Sequence, residues 1–387
     1  MQAPVSRWFR LNLQIHRWTS LVATLPFLLL CLTGTVLIFR EELDAALGVV
    51  PVSAAGGEAR VADCLATLER SFPDERVLSV GLDPLNHPGV MLGVVAGPEE
   101  TGFDHARLVY FELASGRMLG DGDTGRESSF TGVLFELHAE WFLGPVGRLL
   151  GALIGLLVLA SLLSGLVIYA PYVRRIAYGF IRVGRGARLA QLDLHNFVGA
   201  MVLGWAFVVS LSGFLLGFST IALGVWQMTD LAAIRDEYRD ATPVDARHPP
   251  VPVPRVIEVA TAHARPGWGV RSVLYPGMDL TTPRHYAVLL GGSTGLEARM
   301  IDAVMIDAQT GEVARDVELP GYLHAMFLSE PLHFGDYGGL PLKLLWSACN
   351  LLTLFITANG AWLFFDRRRA QRLRPGRAPE GVGDEGP

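Results

Sequence analysis

Four stretches of the chain carry no Asp, Glu, Lys or Arg: 18–39, 149–173, 194–229 and 344–365. They hold 22, 25, 36 and 22 residues. A bilayer core roughly 30 Å thick needs about 20 residues of helix, so the pattern predicts four transmembrane helices. The two long segments between them read differently. Residues 60–71 and 254–264 have helical spacing. Residues 76–83, 89–96 and 106–113 have strand composition, as do 269–275, 285–291 and 301–307. Ser-Gly or Thr-Gly follows the last strand of each set, as expected of turns. Each segment therefore predicts a small α+β module of one helix and three strands. At roughly 60 residues such a module sits near the lower size for independent folding. The two are expected to lean on each other or on the membrane surface.

The same pattern occurs twice. His16 and His195 differ by 179 positions, as do Gly34 and Gly213, and Phe39 and Phe218. His138 and His333 differ by 195, as do Arg148 and Lys343, Gly165 and Gly360, and Arg174 and Arg369. Tyr110–Gly116 matches Met305–Gly311 at the same offset of 195. The expected fold is an α-helical membrane protein. Its four-helix transmembrane bundle comes from a tandem duplication of helix–module–helix. The segments are 1–40 with the first helix, 41–130 as module 1, and 131–173 with the second helix. A loop at 174–193 leads to the third helix, 194–229. Module 2 spans 230–325, the fourth helix lies in 326–366, and a tail spans 367–387. Both copies enter from the same side, so the repeat is parallel and its pseudo-two-fold axis runs along the membrane normal.

Charge sets the expected orientation. Residues 1–17, 174–193 and 366–387 together carry net +9, while the rest of the chain carries −15. Short basic segments stay cytoplasmic. Both termini and the 174–193 loop are thus expected inside a bacterial inner membrane, with the two long loops in the periplasm. Half the residues are hydrophobic and 18% are charged, against about 25% charged in an ordinary soluble chain. That excludes a disordered chain and a basic nucleic-acid binder. The run 18–39 is too long for a signal-peptide core and no Ala-x-Ala site follows it. Three cysteines, Cys31, Cys64 and Cys349, make no disulfide framework and no C-x-x-C-H haem-attachment motif. Gly381–Gly386 fits a dinucleotide expression by letter but lies in a polar tail with no strand before it. Trp18, Trp141, Trp226 and Trp346 are placed for an interfacial belt.

The candidate chemistry lies in four of the ten histidines. His16 and His195 fall at the inner ends of helices 1 and 3, and His138 and His333 at the outer ends of helices 2 and 4. The repeat makes each pair equivalent, so a ligand on the axis can be held from both sides, at two sites stacked through the bilayer. Structural zinc needs four protein ligands and catalytic zinc three. Two facing imidazoles suit haem b, whose porphyrin supplies the other four nitrogens. With both axial positions filled, the iron transfers electrons and binds no oxygen. An ordinary interfacial His is the competing reading at each position. Gly34, Gly165, Gly213 and Gly360 either give the macrocycle room or let helices pack closely. Arg148 and Lys343, the chain's only lysine, either pair with haem propionates, or snorkel, or pair with Glu136 and Glu140. His138 precedes Arg148 by ten residues, about 15 Å of helix, and Pro145 can break that helix. His324 is an alternative outer ligand without a repeat partner. His87, His105, His248, His263 and His285 are expected in solvent.

These motifs resemble the PepSY-associated transmembrane family, also called iron-regulated membrane proteins. The resemblance rests on His16-Arg17-Trp18 with Leu32-Thr33-Gly34, and Leu137-His138-Ala139 with Gly144-Pro145-Val146-Gly147-Arg148 and Ser164-Gly165. It continues in Asp193-Leu194-His195 with Ser212-Gly213, Leu332-His333 with Asn359-Gly360, and Asp307–Glu312, which resembles the end of a PepSY module. It spans about 1–370. Three places depart from the family pattern: Asn359 stands where Ser or Thr is usual, Gly335-Asp336-Tyr337-Gly338-Gly339 follows His333, and the first module ends in Ala114-Ser115-Gly116. The resemblance implies an oxidoreductase with two haems b per chain that reduces a periplasmic ferric siderophore. No nicotinamide or flavin motif is present, so the donor is expected to be a cytoplasmic reductase or the quinol pool. The rival is a haem-free, membrane-anchored PepSY module that binds or regulates a protease. A transporter would need intramembrane charges that the apolar runs lack.

Overall fold

A computed structural model describes residues 6–51, 53, 59–82, 88–103, 105–121, 129–173 and 178–372. His87, Arg174, Arg175 and Gly381–Gly386 lie outside the described residues. The chain begins with α1 (Arg7–Leu37), α2 (Arg40–Ala46) and α3 (Val61–Ser71), followed by β1 (Arg76–Gly81), β2 (Val90–Ala96), β3 (Arg107–Glu112) and β4 (Met118–Asp121). Then come α4 (Phe130–Glu140), α5 (Gly144–Val173), α6 (Ala187–Leu216), α7 (Ser219–Trp226), a π-helical turn (Gln227–Leu231) and α8 (Ala232–Glu237). The remainder is α9 (Val253–His263), β5 (Trp268–Leu274), β6 (His285–Gly292), β7 (Asp302–Asp307), β8 (Val313–Val317), α10 (Gly321–Phe334) and α11 (Gly339–Arg372). Among the described residues, four helices are long and apolar enough to cross a membrane: Arg7–Leu37, Gly144–Pro171, Ala187–Leu216 and Gly339–Asp366. The chain is a membrane protein.

Two compact units divide the chain. The helical unit is Met1–Leu32, Leu156–Phe207 and Ala348–Pro387, and the sheet unit is Thr33–Gly155 and Val208–Ser347. In the helical unit, small or β-branched residues such as Ala23, Val158, Val198, Val202, Ala206 and Ile356 are buried. Large ones such as Leu25, Leu163, Met201 and Leu351 stand exposed, a surface that a bilayer covers. Asp193, near the start of α6, is buried. Arg182 Nε and Nη2 donate to its two oxygens at 2.8 and 2.6 Å, a bidentate pair that satisfies the buried carboxylate.

The sheet unit holds one antiparallel sheet in the order β4-β3-β2-β1-β5-β6-β7-β8. The two expected modules are therefore joined edge to edge, with Ser79, Val80 and Gly81 paired to Leu274, Val273 and Ser272. This junction removes two open edges that small modules would otherwise expose. Each half also has a fourth strand, β4 and β8, that composition did not predict. Alternate residues cover both faces. Tyr286, Val288, Leu290, Val304 and Ile306 join the cluster that includes Leu68 of α3 and Val256 of α9, whereas Ala303 and Met305 face the other way. Burial on both sides explains why the strands read as near-continuous apolar runs.

Three expectations need correction. The 36-residue apolar stretch 194–229 is not one helix, because α6 ends at Leu216. Beyond it Trp226, Leu231 and Ile234 pack on Ala303, Met305, Val317 and Leu323, so these apolar residues serve a protein core. Trp226 is thus buried and does not belong to an interfacial belt. Second, His138 and His333 do not lie on the spanning helices. They lie on α4 and α10, separate helices that precede α5 and α11. The break after α4 is made by Trp141 and Phe142 in the left-handed region, φ 54° and 57°, where non-glycine residues are strained. Third, His285 is buried, not solvated.

Candidate functional site

The helical unit brings His16 of α1 beside His195 of α6, with ring centres 6.4 Å apart and planes at 75°. The sheet unit brings His138 of α4 beside His333 of α10, with ring centres 6.2 Å apart and planes at 61°. The pairing drawn from the offsets of 179 and 195 is the pairing in space. His324 is exposed on α10.

The rings rest on neighbouring helices in a common way. His16 Nδ1–H donates to the Ser161 carbonyl at 2.8 Å, and a Cβ at Gly165 would lie 3.1 Å from its Cε1. His333 Nδ1–H donates to the Val209 carbonyl at 3.0 Å, and a Cβ at Gly213 would lie 2.9 Å from its Cε1. In both, the carbonyl is four residues before the glycine. A helix carbonyl sits beside the side chain four residues on, so a glycine there opens it to the ring. At His195 the corresponding groups are the Ile356 carbonyl and Gly360, whose Cβ would lie 3.2 Å from Cε1. There the carbonyl falls outside hydrogen-bond geometry, and Nδ1 is buried with no partner. His138 Nδ1 meets the Thr33 hydroxyl at 2.8 Å.

A carbonyl can only accept. The proton of His16 and of His333 therefore sits on Nδ1, and Nε2 keeps its lone pair. A neutral imidazole held in this way by its other nitrogen has the form that metal-ligating histidines take. The spacing fits too. A metal–imidazole bond is about 2 Å long, so two rings on opposite sides of one ion have centres about 6 Å apart. Among the described residues there is no cluster of three or more His, Cys, Asp or Glu. A two-imidazole donor set matches a metal whose other ligands arrive with it, as in haem.

The two cations face carboxylates. Arg148 Nε and Nη2 donate to Glu140 Oε1 at 3.0 and 2.5 Å, and Nη1 reaches the Ser219 hydroxyl at 3.4 Å. Lys343, 8% exposed, donates to both oxygens of Glu42 at 2.7 and 2.9 Å. Glu140 was one of the alternatives open in the sequence. Glu42 was not, because 301 residues separate it from Lys343. Arg299 pairs with Asp336, three residues after His333. Burial pushes the Asp336 carboxyl above its ordinary range, although Arg299 and Lys343 pull the other way.

Known proteins agree with the membrane reading. Residues 13–367 match the family described as the PepSY-associated TM region. An uncharacterized protein of Pseudomonas aeruginosa is 25% identical over 260 residues, which cover 61% of this chain and 63% of that one. The chain thus matches less than two thirds of that relative's length. Since the family match runs through all four spanning helices and both histidine pairs, the chain belongs to the PepSY-associated TM region family.

Proposed function

We propose that the chain is a di-haem b electron-transfer protein of the bacterial cytoplasmic membrane. In this reading it carries electrons outward to reduce a periplasmic ferric siderophore. The observation that carries the reading is the pair of histidine pairs, 6.4 and 6.2 Å between ring centres, each with one ring held through Nδ1 by a backbone carbonyl. His16 and His195 hold the haem nearer the cytoplasm, and His138 and His333 the one nearer the periplasm. A haem held by these imidazoles would supply one-electron transfer.

The chain's own residues do the rest. Ser161 and Val209 fix the tautomer of one ligand in each pair. Gly165, Gly213 and Gly360 leave the space in which three of the rings lie. Arg148 and Lys343 exchange Glu140 and Glu42 for haem propionates. The termini and the loop 174–193 face the cytoplasm, where a separate reductase or the quinol pool donates. The joined sheet lies in the periplasm and shapes the acceptor site. The tandem arrangement reflects a duplication of helix–module–helix.

An absorption spectrum of the purified full chain tests this. A Soret band with dithionite-sensitive α and β bands, at about two haems per chain, is the expected result. A colourless protein from haem-replete cells overturns the proposal and favours a haem-free interaction module.

A further inference from the structure

The polar residue before each of the four repeated glycines differs in what it does. Thr33 Oγ1 lies 2.8 Å from His138 Nδ1, and Ser212 Oγ lies 3.3 Å from His333 Nδ1. Ser164 turns back to the Ala160 and Ser161 carbonyls, and Ser161 Oγ stands 3.2 Å from His16 Nδ1 in its place. The fourth position is Asn359, 6% exposed, in the helical unit. Its Nδ2 donates to the Gln191 carbonyl at 3.2 Å. Its Oδ1 is buried and has no partner, and His195 Nδ1 has only the Ile356 carbonyl, outside hydrogen-bond geometry. The residue next to Asn359, Gly360, would put a Cβ 3.7 Å from that same Nδ1.

A buried polar atom without a partner is costly, and here Asn359 Oδ1 and His195 Nδ1 both lack a well-formed hydrogen bond. The amide cannot be turned around, because the Gln191 carbonyl accepts only and therefore holds the NH2 end. Oδ1 is left facing its own need for a donor. Unlike a hydroxyl, it has no proton to give, so it is compatible with one tautomer of His195 alone.

We propose that Asn359 is the positioning residue of His195. In the loaded protein its Oδ1 accepts the Nδ1–H hydrogen bond, which fixes the tautomer and leaves Nε2 as the ligand. This rests on the haem reading above. A stronger acceptor on Nδ1–H makes the imidazole a stronger donor at Nε2, which favours the ferric over the ferrous state. Asn359 therefore sets the potential and the retention of one haem and leaves the other alone.

The test uses the purified full chain with Asn359→Leu, Asn359→Asp and Asn359→Ser, read by haem content, redox titration and low-temperature electron paramagnetic resonance. Leu keeps the shape and removes the acceptor. One of the two midpoint potentials should rise, the other should hold, and haem at that site should bind about 10–100-fold more weakly. Asp should move the same potential downward, and Ser should restore most of the wild-type value. The wave that moves should be the one that His195→Ala abolishes. Unchanged potentials and retention in Asn359→Leu, or equal shifts of both waves, overturn the proposal. Opposite shifts in Leu and Asp cannot come from general loosening of the fold. A wild-type chain without haem overturns the haem reading itself, whereas a two-haem wild type with an indifferent Leu variant overturns only the role of Asn359.

Discussion

Half-buried histidines in the pairs and the fully buried His285 occupy two kinds of place in this molecule, and their protons sit on opposite nitrogens. In each pair one ring, His16 or His333, gives its Nδ1–H to a helix carbonyl and keeps Nε2 bare. His285, at the start of β6, is 1% exposed. The Thr282 hydroxyl oxygen already accepts from the backbone N–H groups of Arg284 and His285 at 3.3 and 3.2 Å. Its own proton must then go to His285 Nδ1, 2.7 Å away, so that ring is protonated on Nε2. The ring also meets Tyr238 in an edge contact, with centres 4.3 Å apart and planes at 61°. A buried imidazole is thus no sign of a ligand by itself. What separates ligand from core is which nitrogen has been tied down, and whether a second imidazole stands about 6 Å away.

The largest expected effect breaks that distinction outright. His195→Ala and His333→Ala should each remove one haem and leave the other, with the Soret absorbance per chain falling by about half. His285→Ala should keep both haems while loosening the sheet. Loss of haem in the His285 variant, or retention of both in either ligand variant, would sink the assignment.

A smaller change sharpens the comparison at the glycines. Gly213→Ala puts a Cβ 2.9 Å from His333 Cε1, and Gly360→Ala puts one 3.2 Å from His195 Cε1. The ring must move in both, and further in the first. Haem of the sheet-unit pair should be held about 10–100-fold more weakly in Gly213→Ala. Gly360→Ala should act on the other haem, and less strongly. Haem-transfer rates to apomyoglobin measure both. An effect confined to thermal stability, with haem transfer unchanged, would make these glycines packing residues only.

The two histidine pairs were legible because equal offsets along the chain leave arithmetic behind. Offsets of 179 and 195 tie His16 to His195 and His138 to His333 without any structure. The strands were legible within one or two residues because each is an apolar run bounded by turn residues. Other features were not. The break after His138 depends on Trp141 and Phe142 adopting a left-handed conformation, which their side chains disfavour. Strands β4 and β8 are short and only partly buried, so composition gives them no signal. The junction of β1 with β5 joins residues nearly 200 positions apart, and local pattern cannot carry that. His285 looked solvated because only tertiary packing brings Tyr238 over it.

The pH response of the sheet unit sharpens the comparison from the other side. Burial lowers the folded-state pKa of His285 below the usual 6.5, with the Asp307 carboxylate opposing and Arg284 assisting. Above pH 6.5 the ring is neutral in both folded and unfolded chains and contributes no pH dependence. Below it the unfolded chain binds a proton that the folded one refuses, so stability is lost as the pH falls. Unfolding midpoints in detergent between pH 7.5 and 5 should therefore drop, and the drop should flatten in His285→Gln. Equal slopes in both proteins would mean that other groups govern the acid limb.

The smallest effect concerns the two cations. Lys343 is paired with Glu42, whose side chain is 53% exposed, and Arg148 with Glu140, 25% exposed. A pair whose carboxylate is open to water, as Glu42 is, contributes at most about 1 kcal/mol. Lys343→Met should therefore barely move the unfolding midpoint. If the cation turns to a propionate when haem is bound, the same variant should release the haem of the sheet-unit pair several-fold faster and leave the other haem untouched. Glu42→Gln separates the two roles, because it removes the competitor and keeps the cation. Haem release should then slow. A Glu42→Gln variant that releases haem faster, as Lys343→Met does, would show that the ion pair itself holds the site together and that no propionate takes its place.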